Sequence, residues 1–163
     1  MSNNKYILRE IEPKDNAEIA VVIRKIFIEL GIPKIGTAYE DIALDQMFET
    51  YDIPNAAYFV IKLNGIILGG AGIMQLQNAT EGICELQKMY FSQEIRQKGF
   101  GAKMINTCLN KAKEFGYKKC YLETIPFMES ARKLYTKVGF ESLTAPMGDT
   151  GHYSCSMWMI KTL

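Results

Sequence analysis

The alternation of apolar and polar positions divides the chain into short segments whose period changes along its length. YILREI (6–11) alternates as a short strand. Pro13 stands near the start of a helix, with Lys14, Asp15 and Asn16 in its first turn. Ile19, Val22, Ile23, Ile26, Phe27 and Leu30 recur at three- and four-residue spacing, so that helix has one apolar face. Gly31 and Pro33 stop it. GIPKIGTAYED reads as a loop, and a second amphipathic helix is expected from about Tyr39 to Tyr51. Ala57 to Leu63 is strand-like, and Asn64-Gly65 is a strong hairpin signal. The return strand, IILGGAGIMQL (66–76), carries Gly69, Gly70 and Gly72, which predict a bend or the close approach of another group.

ICELQKMYF (83–91) is the next strand, and IRQKGFGAKMI (95–105) follows it. Met104, Ile105, Cys108, Leu109, Ala112 and Phe115 then line one face of a helix that Gly116 caps. KKCYLET (118–124) is a strand, and FMESARKLYTKV (127–138) is a helix closed by Gly139. FESL (140–143) and HYSCSMWMIKTL (152–163) read as two last strands. The order is one strand, two helices, three strands, then a helix, a strand, a helix and two strands. Antiparallel meander strands come first and β-α-β units follow, an α/β (α+β) arrangement. No repeat, low-complexity segment or linker interrupts residues 1–163, so one domain is expected.

Composition narrows the function. Hydrophobic residues make up 48% of the 163, which excludes a disordered tail or linker protein. Nineteen basic against 18 acidic residues give a net charge of +1. A broad nucleic-acid or membrane surface needs a clear basic excess, so any anion site must be local. Cys84, Cys108, Cys120 and Cys155 form no CxxC pair, and His152 is the only histidine. That argues against zinc-finger spacing and histidine-rich metal sites, and no metal is expected. MSNNKYILREIEP lacks the apolar core of a signal peptide, and no apolar run reaches the length of a membrane span. A reducing cytoplasm is the expected compartment.

The 95–105 loop is the first candidate site. Two glycines and three cationic groups stand where a strand becomes a helix. Amide N–H groups at a helix N-terminus lack helical partners, and the dipole is positive there. Arg96-x-x-Gly99-x-Gly101 can wrap the amides of Gln97, Lys98, Gly99, Phe100, Gly101 and Ala102 around a pyrophosphate. Arg96, Lys98 and Lys103 would add positive charge. The GxGxxG fingerprint fails for want of its third glycine, and the nucleotide P-loop fails because Lys103 neither follows Gly101 directly nor precedes Ser or Thr. A strand-to-helix turn with a solvated basic face is the alternative.

ELQKMYFSQEIRQKGFGAKMI and YLETIPFMESARKLYTKVGF together resemble the two central motifs of the GNAT acetyltransferases. Those motifs are R/Q-x-x-G-x-G/A after a strand and a downstream Ala…Leu-Tyr…Gly-Phe pattern, matched by Ala131, Leu134-Tyr135 and Gly139-Phe140. The resemblance covers residues 85–140. It implies a mixed central sheet with splayed parallel strands and helices on both faces. It implies that backbone groups of Met89, Tyr90 and Phe91 pair with the pantetheine arm of acetyl-CoA, as an added strand does. It also implies that the 97–102 amides hold the pyrophosphate and that Tyr135 protonates the departing thiolate. Many members have asparagine three residues before the alanine; Met128 stands there and would pack the arm instead.

Transfer to an amine needs a base. Glu85 begins the strand leading to the loop, and Glu123 ends the next strand, twelve residues before Tyr135. Members of the family use a glutamate at either position, and either one here can also be a solvated or ion-paired carboxylate. His152 is a structural hydrogen-bonder or a substrate-side group. Cys155 is a weak nucleophile candidate, because no His-Asp pair is evident in the sequence to activate it. Tyr39, Glu40 and Asp41 either bind a cationic acceptor or start a helix. The resulting expectation is an acetyl-CoA-dependent N-acetyltransferase of a small amine. Protein or peptide acceptors, and a non-catalytic acyl-CoA-binding module, remain as alternatives. A homodimer is a further expectation carried by the resemblance.

Overall fold

The computed structural model describes residues 4–126 and 128–163. Seven strands, β1 (Tyr6–Glu10), β2 (Ala57–Leu63), β3 (Ile66–Gln75), β4 (Ile83–Phe91), β5 (Lys119–Thr124), β6 (Glu141–Leu143) and β7 (Met157–Thr162), form one sheet. Their order is β1-β2-β3-β4-β5-β7-β6, and every neighbouring pair is antiparallel except β4–β5. The helices are α1 (Asn16–Leu30), α2 (Met47–Tyr51), α3 (Phe100–Glu114) and α4 (Glu129–Val138). Phe127, where the sequence reading begins the last helix, lies outside the described residues, as do residues 1–3 of the N-terminal segment.

Helices cover both faces of the sheet, and β2 shows why. Ala57, Phe59 and Ile61 pack into the core beneath α3 and α4, while Tyr58 and Val60 pack into the core beneath α1 and α2. A period of two sends successive side chains to opposite faces, so a strand buried on both sides is apolar throughout. The apolar stripe of α1, read at helical spacing, supplies Ile19, Ile23 and Phe27 to its core. Met104, Ile105, Cys108, Leu109 and Ala112 of α3 supply the other. Asn64 (φ 50°) and Gly65 (φ 86°) make the tight β2–β3 turn that their pairing signalled.

The β3 glycines admit two tyrosine rings. A Cβ on Gly70 would stand 2.6 Å from Tyr58 Cε1 and from the Phe59 carbonyl; one on Gly72 would stand 2.6 Å from Tyr58 Cδ2 and 3.0 Å from Tyr51 Cε1. The freed space lets Tyr58 reach across β3, where its hydroxyl donates to the Lys88 carbonyl at 2.9 Å.

Two expected elements differ. The helix expected over 39–51 is instead two 3-10 turns, Ala38–Glu40 and Ile42–Asp45, followed by the five-residue α2. Asp41 between the turns is extended (φ −61°, ψ 123°), so no continuous helix passes through it. Thr37 Oγ1 accepts from the Tyr39 amide, and Asn16 Oδ1 accepts from the Phe48 amide at 2.8 Å, so each short turn is tied separately. The last strand begins at Met157 rather than His152. Residues 152–155 dock instead on the loop after α1: the Ser154 amide donates to the Gly36 carbonyl at 3.0 Å, and Ser154 Oγ to the Ile35 carbonyl at 2.6 Å.

Gly70→Ala forces a methyl onto a backbone carbonyl and a buried ring, neither of which can withdraw. It is expected to destabilise the protein by about 1–3 kcal/mol, read as a lower urea midpoint at unchanged slope. An unchanged midpoint would contradict the packing described.

Candidate active site

The site is built where β4 and β5 part. The two strands pair only through Ile83–Lys119, Cys84–Cys120 and Glu85–Tyr121. Among the described residues no strand pairs with that edge of β4 beyond Glu85. The same stretch of β4 carries a bulge: Gly70 faces Tyr90 and Gly72 faces Gln87, so β4 uses one residue more than β3. Lys88 sits in that bulge with φ 47°.

The cleft between the parting strands is lined on one side by Lys88, Met89 and Tyr90 and on the other by Leu122, Glu123 and Thr124. Met128 and Tyr135 close it from the α4 side, and Phe27, Thr37 and Cys155 from the α1 side. A wider cavity of about 460 Å³ adjoins it, lined by Glu123, Cys155, Trp158 and the 146–153 loop. Glu123 and Cys155 border both spaces.

Strand alternation assigns faces to the chemistry. Cys84, Leu86, Cys120 and Leu122 pack into the core beneath α3 and α4, so Glu85, Gln87, Tyr121 and Glu123 point to the opposite face. Tyr135 belongs to the α3–α4 side. The cleft therefore passes through the sheet, with the Tyr135 phenol reaching it from one face and Glu123 from the other.

Burial raises the Glu85 carboxyl to about 7, and the Glu123 charge adds to the rise; a hydrogen bond from Gln87 opposes both. Gln87 in turn accepts from the Tyr51 hydroxyl at 2.6 Å. Burial also pushes Glu123 up, against a hydrogen bond donated by the Thr150 hydroxyl. Tyr135 is raised above the ordinary phenol value by burial and remains protonated at neutral pH. Cys155 is pushed up to about 12 by burial and then by Glu123 and Glu85, which makes it a poor nucleophile.

His152 meets Asp41, a pairing with a residue 111 positions away that the sequence does not reveal, and Cys155 is not activated by it. Its Nε2 lies 2.9 Å from Asp41 Oδ2, and Lys88 Nζ lies 3.1 Å from the same oxygen. Burial alone would raise the Asp41 carboxyl, but the His152 hydrogen bond and the Lys88 charge outweigh it and hold it below its ordinary value. Asp41 thus ties the β4 bulge to the 152–155 segment. Tyr39 packs its ring on Phe27 at 5.7 Å, and Glu40 accepts from the Gly36 amide at 3.0 Å, so both brace the same loop.

Among the described residues no side chain caps the first-turn amides at the head of α3, and the first turn itself holds no acidic residue. Gly99 is left-handed (φ 84°) with open space where a Cβ would be, and Gln97 is left-handed too (φ 59°). Gly101 is glycine for another reason: its Cβ would come within 2.5 Å of Leu134 Cδ2 of α4. Phe100 stacks against Tyr6 at 4.5 Å, while Lys98 and Lys103 are exposed and Ala102 is half-buried. Arg96 is partly committed elsewhere. Its Nε donates to the Phe91 carbonyl at 2.7 Å and its Nη1 pairs with Glu29 at 3.2 Å. Its Nη2 is buried without a partner among the described residues, as is Thr124 Oγ1 in the cleft.

Gln87, Thr150, Lys88 and the two tyrosines of α2 and β2 were not singled out from the sequence. Only Gln87 left a signal there, two residues from Glu85 and therefore on the same strand face.

Glu85→Gln keeps the shape and the acceptor oxygen for Gln87. A buried carboxyl with a folded value near 7 and an ordinary value of 4.5 weighs on the fold only when ionised. Its cost is absent below the lower value, grows as pH rises, and is complete above the higher one. At about 1.4 kcal/mol per pH unit, the variant is expected to be more stable than the parent by up to about 3 kcal/mol at pH 8–9. The advantage should vanish near pH 4, in urea melts across that range.

Comparisons with known proteins agree with this geometry. The profile described as the acetyltransferase (GNAT) family matches residues 26–140. An uncharacterized N-acetyltransferase of Escherichia coli, YjgM, is 39% identical over 158 residues, spanning 96% of this chain and 95% of that one. An acetyltransferase of the GNAT family from Staphylococcus aureus superposes with a TM-score of 0.83 at 21% identity, covering 98% of this chain and 99% of that one. A phosphinothricin acetyltransferase from Sinorhizobium meliloti, solved in complex with AcCoA, superposes with a TM-score of 0.72 at 22% identity, covering 97% and 88%.

Proposed function

The chain belongs to the GNAT acetyltransferase family, and from that premise we propose that it transfers an acetyl group from acetyl-CoA directly to the primary amine of a small molecule. The residues present fit that donor. The free β4 edge at Met89–Phe91 matches an extended amide-bearing arm, which would pair with it as an added strand. The uncapped amides from Gln97 to Ala102 and the open face of Gly99 suit a pyrophosphate. Arg96 Nη2 and Thr124 Oγ1, both buried without partners among the described residues, are further polar atoms a ligand would satisfy. Met128 lines the same cleft and would pack the arm.

Acetyl-CoA, when bound, supplies an acyl group activated as a thioester. The chain's own residues then manage two protons. Glu123 borders both the cleft and the wider cavity, so it is assigned to accept a proton from the acceptor ammonium. Among the described residues Glu85 lines neither space; it is close enough on the same face to feel the Glu123 charge and stands as the alternative base. Tyr135, protonated and on the other face, is assigned to donate to the thiolate as it departs. An amide of the free β4 edge is aimed where negative charge develops on the carbonyl oxygen. The observation that carries the proposal is the single cleft with Tyr135 on one face of the sheet and Glu123 on the other.

In a thiol-release assay with acetyl-CoA and a panel of amines, Tyr135→Phe is expected to lower kcat by about 10²–10⁴-fold while coenzyme A affinity stays within error. Unchanged turnover would remove Tyr135 as the donor. Coenzyme A binding without thiol release on any amine would mark a sensor instead of an enzyme.

Glu123→Gln is expected to lower kcat/KM by a similar factor. The parent's kcat/KM should climb with pH as Glu123 ionises, and the variant should lose that limb of the profile. A variant with the parent's profile would hand the role to Glu85.

A further inference from the structure

The wider cavity beside Glu123 has a charge character of its own. Glu123 and Trp158 are directly opposite each other on β5 and β7, so their side chains lie on one face as close neighbours. Met147, Asp149 and Tyr153 continue the wall. No lysine or arginine lines the space among the described residues. Its only residue able to become cationic is His152, and that ring is already engaged by Asp41 through Nε2 at 2.9 Å. Lys88 faces the neighbouring cleft and is held by Asp41 as well.

We infer, resting on the acetyltransferase reading above, that the acceptor is a cationic amine with a hydrocarbon body and no carboxylate. A carboxylate entering this space would lose its hydration beside Glu123 and Asp149 without meeting a free cation. An ammonium would gain from the same two carboxylates and from the indole and phenol faces of Trp158 and Tyr153. The apolar stem of such an amine would lie on Trp158 and Met147. A volume of about 460 Å³ suits a small molecule rather than a folded chain. Free amino acids are therefore excluded as good acceptors, and the amines left by their decarboxylation are favoured.

The test uses matched pairs that differ only by the carboxylate: tryptamine and tryptophan, tyramine and tyrosine, putrescine and ornithine. Each is titrated calorimetrically into the full chain with coenzyme A present, and each is assayed for thiol release with acetyl-CoA. The amine of at least one pair should bind at least tenfold more tightly than its amino acid and, if turned over, show the higher kcat/KM. Asp149→Lys, on the exposed rim, should narrow or reverse that ratio while leaving coenzyme A affinity unchanged. Equal or tighter binding of the amino acids, a ratio untouched by Asp149→Lys, or no binding by any member would overturn the inference. Amine-selective binding with no thiol release would leave the inference standing and defeat the acetyltransferase reading instead.

Discussion

The parting of β4 from β5 after Glu85 and Tyr121 is the constraint on which the rest of the site depends. A parallel pair that stays together buries its ladder and leaves no room between strands. Here the ladder stops after three residue pairs, and the extra residue at Lys88 turns β4 away from the course β3 would impose. The bulge has a support. Tyr58 reaches through the space left by Gly70 and Gly72, and its hydroxyl fixes the Lys88 carbonyl. The glycines, the tyrosine and the bulge therefore act together: without the first the ring could not lie there, and without the ring the strained residue would have no fixed position.

The bulge also sets the electrostatics. Lys88 is only 7% exposed at its side chain, and an ammonium so placed needs a counterion. Asp41 provides one, and the same carboxylate takes His152. A buried pair of this kind adds little net stability, but removing one partner strands the other. Its consequence is positional. The loop between α1 and α2 cannot wind into one helix while Asp41 is held extended between Lys88 and His152, so the loop lies across the cleft. The 152–155 segment, bound to that loop through Ser154, closes the other side.

That linkage explains what was legible beforehand. Elements decided by local pattern were readable: the two-sided apolar strand β2, the Asn64-Gly65 turn, and the apolar stripes of α1 and α3. The strand-to-helix turn at 95–105 and the helix carrying Leu134-Tyr135 are readable as elements because both follow from contiguous residues. The continuous 39–51 helix was misjudged because Asp41, an acceptable first-turn residue by composition, is claimed by a histidine 111 positions away. The early start assigned to the last strand failed for the same kind of reason, since the His152 segment answers to Gly36 and Asp41 and not to its sheet neighbours. Gly101 was readable as a required glycine but for a different cause: its Cβ would collide with Leu134, so it brings α3 against α4. The two glutamates were visible singly, yet their common face became clear only through the register of β4 against β5.

The placement of the acid and the carboxylates on opposite faces bears on the order of events. Glu123 and Tyr135 are shifted by different surroundings. Burial among Phe140 and the α3–α4 core holds Tyr135 neutral. Burial, opposed by the Thr150 hydrogen bond and the nearby His152, sets Glu123. Both groups line the cleft, which a bound thioester would occupy in the proposed reaction. In the proposed reaction the proton taken from an incoming amine and the proton given to a leaving thiolate would be handled on different faces. In the proposed reaction the parting of the two strands is what lets one cleft meet a phenol on one face and a carboxylate on the other.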